Sequence, residues 1–569
     1  MQTLVRKRWQ IKPDPAPATV AALAQSLGVL PLTARVLMNR GLTDSETAGL
    51  YLAPTGSRFL DFHQLPGVLE AGRLIAEAIR SKTGIAVFGD YDVDGITAAA
   101  VMTEFIQDRG GRVRILLPDR LHDGYGLNTK AFETLADQGV RLLVTVDCGI
   151  TALAEVARAR ELGLSVVITD HHEPGNSLPA AQAVVNPKIA GPEAFRHLAG
   201  VGVALQVVRA AAEALGEENH EPLRKYLDLV ALGTVADVVP LLGENRMLTR
   251  AGLAVINRGG RPGLTALIRA AGLEMGKLTS QDLAFKLAPR LNAAGRIGDP
   301  QLSYRLLMTP APKEAEDLAG QLNELNARRQ ALEKNVIAQA LEQLPDAPNL
   351  PWALVAAAPD WPLGVLGLAA SKLCERHHRP CFVLSRQEEG WRGSGRSISG
   401  FPLHTILDSL APLLSKWGGH ELAAGVSLPL ENLEAFKLAL AAEAEKRLTG
   451  ENLIPELTVD AQVRLEELTP RLCRELSRLE PFGFQNFRPI LAAEKVRLAA
   501  PARVVGERHL KLKVKDGQGR PLDVIGFGWG ECAADLSPDK PLDIAGHLVE
   551  NIWNQTTTLQ MELKDLRWD

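Results

Sequence analysis

The sequence predicts an α/β protein: a parallel-sheet domain, a long connecting helix, a smaller α/β domain and a C-terminal β-barrel. Three observations carry that prediction. Between residues 82 and 170, short β-type runs alternate with amphipathic stretches, the pattern of βαβ units in a parallel sheet. The same alternation begins again near Trp352, after a long polar stretch. From about Asn452 the texture changes to closely spaced alternating runs, which belong to a small all-β module.

Size and composition bound the rest. A chain of 569 residues holds about three to five domains at roughly 100–200 residues each. The net charge of −4 gives no global basic field, so any contact with nucleic acid must come from local patches. Five cysteines are scattered without a C-x-x-C spacing, which argues against a disulfide framework or a zinc site and for a reducing cytoplasm. The basic residues near the N-terminus are not followed by an apolar core, so no secretory signal is expected. No run of about 18 apolar residues exists to span a membrane. Aromatic residues make up only 5% of the chain while Gly and Ala abound, which suits close helix–sheet packing.

Taken in order, residues 1–50 are Pro-punctuated and then helical, with no visible chemistry. Residues 51–312 form the first domain. Its strands fall at 85–88, 112–117, 142–146 and 166–168, its helices at 96–108, 129–138 and 152–162, with a Gly-rich turn before 129. Helical stretches continue over 201–215, 223–235 and on to about Ile256. Residues 313–345 carry a thin seam of Leu318, Leu322, Leu325, Leu332 and Val336, interrupted by Arg329. Spacings of three, four and seven make this one long helix, either a connector between domains or a surface helix of the first. Residues 346–450 give a second α/β domain, with strands at 353–358 and 381–384 around a helix at 365–376. Residues 451–569 supply β runs at 490–498, 509–514, 522–527, 542–552 and 556–563, with a hairpin signal at Asp516-Gly517. Five strands so spaced fit a closed barrel of the OB type; a generic β-sandwich is the alternative.

Three acidic clusters follow three of the predicted strands: Asp90, Asp92 and Asp94 ahead of Gly95, then Asp147, then Asp170-His171-His172. In a parallel sheet the carboxyl ends of the strands open onto one crevice, so these groups are aimed at one point. Anions so crowded share a site only if cations hold them together, which predicts a divalent-metal centre, with two metals. The run Asp90, Asp92, Asp94, Gly95 looks like the opening of an EF-hand loop. That reading fails, because the twelfth position is Val101 where a bidentate Glu is needed, and a strand precedes it. Instead Gly95 lets the chain bend from strand to helix. Each cluster alone has a plain reading: a solvated turn, a helix cap at Asp147, a capping Asp-His-His. A fourth carboxylate, Asp237, ends an apolar helical run. Oxygen-rich ligands with one or two imidazoles suit Mn²⁺ or Mg²⁺, with Mn²⁺ favoured because Mg²⁺ rarely takes imidazole.

All four clusters, in this order, resemble the DHH phosphoesterase superfamily. The spelling of residues 89–95 and 233–241 is that of its RecJ branch, exonucleases specific for single-stranded DNA. The second α/β domain resembles the superfamily's DHHA1 domain through residues 392–397 and 418–425, and residues 289–296 and 480–486 also match the branch. The resemblance spans roughly residues 50 to 560. It implies Asp92, Asp94, Asp147, His171 and Asp237 as metal ligands and catalytic residues, Asp147 bridging the ions. Asp90 is a further metal candidate and His172 a further catalytic one, set behind the ligands or facing the phosphate. One departure is visible: Trp361-Pro362-Leu363-Gly364 stands where the family often has Trp-His-x-Gly, so any polar duty of that His is absent.

The resemblance implies hydrolysis by a water activated between two ions, in line with the departing 3′-oxygen, which agrees with the lack of a Ser-His or Cys-His motif. It implies a 5′-to-3′ exonuclease releasing 5′-mononucleotides in DNA repair and recombination. Arg392, Ser394, Arg396 and Ser397 read as a phosphate clasp, small residues admitting the backbone and Arg and Ser donating, or else as a surface hairpin. His420 has the same logic, and Asn292 and Arg296 are candidates near the scissile phosphate. A channel between two α/β domains would exclude duplexes by size. The barrel would hold the trailing strand through Lys511, Lys513 and Lys515, which share one side of a strand, with Arg503 and Arg508. The expected partner is single-stranded DNA with a 5′ end, with a single-stranded-DNA-binding protein and a helicase as candidate protein partners, and a monomer is expected. Two competing readings are a phosphohydrolase of small substrates and a non-enzymatic scaffold. The C-terminal β module speaks against the first, and the filled ligand positions speak against the second.

Overall fold

A computed structural model describes residues 7–53, 59–118, 127, 129–217, 219, 221–345, 349–517, 520–553 and 556–568. The chain forms two compact units. One comprises Gly56–Gln330 with Glu480–Phe487; the other comprises Met1–Thr55, Ala331–Leu479 and Arg488–Asp569. Among the described residues no single helix is long and apolar enough to cross a membrane.

The first unit is built on a five-stranded sheet: β1 (Gly84–Gly89), β2 (Arg112–Leu116), β3 (Val140–Val146), β4 (Ser165–Thr169) and β5 (Ala183–Val185). Their spatial order is β2-β1-β3-β4-β5 and every pair is parallel. Both faces are covered, which is why the inner strands β1, β3 and β4 read as nearly continuous apolar runs. Ile85, Val87, Val144, Val146 and Val167 pack into the helical core on one face, while Ala86, Phe88, Leu143, Val166 and Ile168 meet Phe132, Leu135 and Val156 on the other. The register sets up the site. Gly89 lies opposite Val146, and Val146 opposite Thr169, so the next residues, Asp90, Asp147 and Asp170, fall in line along the carboxyl edge.

Helix α1 (Val93–Asp108) begins three residues earlier than its apolar pattern suggested, because the Asp92 carboxylate accepts from the Gly95 amide at 3.0 Å and caps the first turn. Helices α2 (Gly200–Ala214) and α3 (Leu227–Ala236) are apolar nearly all round and lie in the core. The stretch expected as one helix over 223–235 is instead a 3₁₀ turn, Glu221–Tyr226, followed by α3. Two further helices are α4 (Gly243–Arg258) and α5 (Ala288–Ile297). The Gly-rich turn expected before residue 129 lies outside the described residues.

The long helix α6 (Pro312–Glu342) runs 31 residues and carries the chain from one unit into the other. Ala315, Leu318, Ala319 and Leu322 join the core of the first unit. Its buried stripe is rotated from the predicted one. Leu325 and Leu332 are only half-buried, whereas Asn326 and Arg329 are buried, with an Arg329 Nη2 to Asn326 Oδ1 bond of 2.8 Å. Because 3.6 residues per turn sets the face, hydrogen-bonded polar side chains take two places of the seam.

In the second unit, β6 (Leu354–Ala358), α7 (Leu363–His377), β7 (Cys381–Gln387), β8 (Gly390–Arg396), β9 (Lys416–Gly419) and β10 (Ala423–Leu428) form a mixed sheet ordered β9-β10-β8-β7-β6. The C-terminal strands are β11 (Leu491–Leu498), β12 (His509–Lys515), β13 (Leu522–Gly526), β14 (Leu542–Trp553) and β15 (Thr556–Trp568). Their pairings close a ring, β11-β12-β13-β15-β14 and back to β11, with only β13 and β15 parallel. That is the five-stranded Greek-key barrel of an OB-fold, not a sandwich. The N-terminal segment, which showed no chemistry in sequence, buttresses it. Strand Arg8–Ile11 pairs in parallel with Glu456–Val459, and Trp9 Nε1 donates to Asp565 Oδ2 at 2.6 Å.

Candidate metal centre

The first unit brings seven predicted residues to the carboxyl edge of its sheet: Asp90, Asp92 and Asp94 after β1, Asp147 after β3, His171 and His172 after β4, and Asp237 at the end of α3. Their ligand atoms form three overlapping groups, each within 4.8 Å: Asp94, His171 and Asp237; Asp90, Asp92 and Asp147; and Asp147, His171 and His172. Two non-overlapping triads are therefore available, joined through the Asp147–His171 contact.

Each side chain is placed by backbone. Asp94 lies in the first turn of α1 and its carboxylate accepts from the Gly200 and Val201 amides, at 2.6 and 2.9 Å, capping α2. Asp147 takes a left-handed φ of 61°, tolerable for Asp and costly for most residues. Gly200 makes room for it: a Cβ there would stand 2.6 Å from both Asp147 Cβ and Asp147 Oδ1. Gly95 allows α1 to start against the Asp90 backbone, where a Cβ would meet Asp90 O at 2.5 Å. Asn292 on α5 accepts from the Val93 amide at 3.1 Å, so it holds the acidic turn rather than offering its oxygen elsewhere. Arg296, one turn along α5, is half-buried.

Asp170 behaves differently from its neighbours. One oxygen accepts from the His171 amide at 2.7 Å, the His172 amide at 3.0 Å and His172 Nδ1 at 2.8 Å, and the other accepts from the Ile150 amide at 2.9 Å. Burial pushes its pKa up, but the His172 bond and charge outweigh that and lower it. It is an orienting group with its lone pairs spent.

The other acids have fewer donors, and Asp147 Oδ1 has none among the described residues. Burial, then the Asp92 charge, lifts Asp94 to about 7. Burial and then the neighbouring acids, Asp94 foremost, raise Asp147 and Asp237 well above the carboxylate range. Burial, then the His172 charge, lowers His171 to about 3, which keeps its imidazole neutral and fit to ligate. His172 moves the other way: burial lowers it, but the Asp170 bond and the Asp170, Asp90 and Asp92 charges raise it.

The structure itself tests whether these residues fit a metal. Asp147 Oδ1 and His171 Nε2 stand 3.1 Å apart, both buried, and neither finds a hydrogen-bond partner among the described residues. His171 Nε2 also lies 3.5 Å from Asp237 Oδ2 and 3.8 Å from Asp94 Oδ2. Asp92, Asp94, Asp147 and Asp237 form no ion pair with any described Lys or Arg. Crowded carboxylates facing a neutral imidazole, with no described Lys or Arg paired to them, form a cation site, and the donor set suits a hard divalent ion.

The remaining predicted residues lie on the second unit. Residues 390–396 form strand β8, paired on both sides with β7 and β10. Cβ atoms on Gly393 and Gly395 would strike Val383 O at 2.2 Å and the Phe382 ring at 2.4 Å, so the sheet's packing by itself requires glycine there. Arg392, Ser394 and Arg396 alternate with them onto the other face, Ser394 and Arg396 beside Gly367 of α7. Ser397 Oγ donates to Phe401 O at 2.6 Å. His420 is exposed in the tight turn between β9 and β10. Pro362 is the residue before α7. Lys511 and Lys513 point outward from β12 while Leu510, Leu512 and Val514 fill the barrel; Lys511 Nζ donates to Gln560 Oε1 at 2.9 Å. Sequence reasoning missed the Gly200 and Val201 amides and the space at Gly200, for which nothing local gave a signal.

A parallel sheet with a divalent-cation centre on its carboxyl edge, followed by a second α/β domain, defines a phosphoesterase of the DHH type. Family models agree: "DHH family, N-terminal domain" matches residues 84–234, "DHHA1 domain" 351–446 and "RecJ OB domain" 459–565. The single-stranded-DNA-specific exonuclease RecJ of Bacillus subtilis is 37% identical over 98% of this chain and 71% of its own length. Its namesake in Escherichia coli is 38% identical over 87% of this chain and 89% of its own. The crystal structure of RecJ in complex with Mn²⁺ from Thermus thermophilus superposes with a TM-score of 0.86 at 33% identity, covering 99% of this chain and 80% of that one. A Mg²⁺ complex of the same protein gives 0.81 at 32% identity, covering 99% and 78%. The chain belongs to the RecJ family.

Proposed function

We propose that this protein hydrolyses single-stranded DNA from the 5′ end, releasing 5′-mononucleotides, with two Mn²⁺ or Mg²⁺ ions at the Asp/His centre. The exonuclease activity on single-stranded DNA and its metal dependence accord with its family and with the Mn²⁺- and Mg²⁺-bound relatives. The observation that carries the site assignment is the buried pair Asp147 Oδ1 and His171 Nε2, 3.1 Å apart and neither of them hydrogen-bonded among the described residues.

Asp94, His171 and Asp237 would hold one ion, Asp90 and Asp92 the other, with Asp147 between. When bound, the ions supply a water of lowered pKa and neutralise charge developing on the phosphate and the leaving oxygen. The protein's own groups do the rest. Asp170 fixes the His172 ring through Nδ1 and raises its pKa, so Nε2, which has no partner among the described residues, presents a proton to a phosphate oxygen. Asn292 holds the turn that carries Asp92 and Asp94. Arg392, Ser394, Arg396, Ser397 and His420 are phosphate-contact candidates on the second unit. Lys511 and Lys513 are candidates for the barrel's contacts to the strand's backbone.

The same reading places the protein in the cytoplasm, in DNA repair and recombination, as a monomer taking its substrate from a helicase and a single-stranded-DNA-binding protein. Five free, buried cysteines support the reducing compartment. The test is release of nucleotides from single-stranded DNA labelled at either end, with Mn²⁺, by the protein and its Asp94→Ala variant. Label released first from the 5′ end by the wild type alone is the expected result. Label released first from the 3′ end overturns the polarity, and activity surviving in Asp94→Ala overturns the metal role.

A further inference from the structure

The turn that follows Asp237 is fastened from far along the chain. Asp237 closes α3, its amide donating to Gly233 O at 3.0 Å. Val238 then takes a left-handed φ of 61°, which a β-branched side chain resists. Between it and α4 the backbone has no regular structure to hold it. Two hydrogen bonds do so instead. Asn245 Nδ2 donates to Pro240 O at 3.1 Å, and the Leu241 amide donates to Phe484 O at 2.9 Å.

Phe484 lies in Glu480–Phe487, which packs as part of this unit although the chain on either side belongs to the other. Arg246 Nη2 donates to Glu480 O at 2.9 Å and Ser280 Oγ to Phe482 O at 2.6 Å. The loop is braced within by Asn486 Nδ2 to Pro481 O at 2.7 Å and by reciprocal amide bonds between Gly483 and Asn486, 3.0 and 3.1 Å. Leu241 is buried against Gly483, where a Cβ would stand 2.5 Å from Leu241 Cδ1 and 3.0 Å from its Cγ.

We propose that residues 480–487 act as a positioning strap for Asp237: they pin Leu241 and so hold the strained turn that keeps the Asp237 carboxylate 3.5 Å from His171 Nε2. The inference rests on Asp237 being a metal ligand. Ligand groups must be held to within about 0.5 Å to keep their affinity, and a turn with a left-handed valine does not hold itself. The strap meets Leu241 with a backbone carbonyl and with Gly483, so a side chain at Gly483 is what would displace it.

Mn²⁺ binding to the full-length protein, read by calorimetry without DNA, tests this. Gly483→Val, folded by circular dichroism, is expected to bind one equivalent of Mn²⁺ at least tenfold more weakly. Adding Leu241→Ala, which reopens the space, should restore most of the loss; general destabilisation would weaken both equivalents of Mn²⁺ alike. Should Gly483→Val not fold, Ser280→Ala removes one anchor and is expected to weaken that equivalent about threefold. Wild-type affinity in the folded Gly483→Val protein, or in Ser280→Ala in its place, overturns the strap. Failure of the wild type to bind Mn²⁺ would overturn the metal reading instead.

Discussion

Replacing Asp94 by Asn should stabilise the metal-free protein while removing its chemistry. Asp94 is fully buried, and its pKa rises from 3.8 to about 7. The folded state therefore binds a proton that the unfolded state has released, and stability from this group is lost as pH rises from about 4 through 7. At ~1.36 kcal/mol per pH unit, the raised pKa of Asp94 costs the metal-free fold ~4 kcal/mol at pH 8, where it is ionised, and ~2 kcal/mol at pH 5.5, where it must take up a proton. Asn carries no charge, but its single oxygen can accept from only one of the Gly200 and Val201 amides that Asp94 caps. The amide left bare costs about 1–3 kcal/mol. In EDTA, Asp94→Asn should thus be more stable than wild type by about 1–3 kcal/mol at pH 8, with the advantage vanishing near pH 5.5. Urea unfolding at both pH values measures this. Added Mn²⁺ at pH 8 should reverse the order, because the ion binds the folded wild type far better than the variant. A wild type more stable than Asp94→Asn in EDTA at pH 8, or a difference independent of pH, would refute the reasoning.

Three further outcomes follow from local geometry. Gly200→Ala drives a methyl group into the Asp147 carboxylate, 2.6 Å away, and should lower Mn²⁺ affinity at least tenfold with little change in far-ultraviolet circular dichroism. Trp9→Phe removes the 2.6 Å bond to buried Asp565 and should destabilise the barrel by about 2 kcal/mol at pH 8. Burial already raises Asp565 and the Trp9 bond lowers it, so that loss should shrink toward acid pH, which denaturation at pH 5 would show. Changing Lys511, Lys513 and Lys515 together to Gln should weaken binding of long single strands and flatten the log affinity against log salt slope by about 2, while sparing cleavage of short oligomers. Equal loss on both lengths would speak against a barrel contact.

What the sequence made legible was periodic or punctuated. The sheet strands showed because both their faces are apolar, the barrel strands because alternate residues fill it, and the acidic clusters because each stands one residue past a strand. What stayed hidden depended on partners remote in sequence. Residues 392–397 read as a phosphate clasp or a surface hairpin because their small residues suggest close backbone approach; the reason for Gly393 and Gly395 is Val383 and Phe382 on the neighbouring strand. The seam of α6 runs in sequence through Leu325 and Leu332, since the residue types alone do not show that Asn326 and Arg329 turn inward and hydrogen-bond to each other. Strand Arg8–Ile11 pairs with residues some 450 positions away, and no pattern in its four residues announces a partner.

Acid residues crowd one sheet edge, yet hydrogen-bond donors separate their roles more sharply than burial does. Asp170 and Asp147 follow neighbouring strands at the same level, 1% and 2% exposed. Asp170 accepts four bonds and its pKa falls; Asp147 accepts none among the described residues and its pKa climbs. A fold that needed only a cap at Asp147 would have supplied a donor, as it did one strand over. Leaving that carboxylate bare, against a histidine lowered to about 3, costs stability that only a cation repays. The apo protein is thus destabilised at its metal centre, where the bound ions gain their affinity.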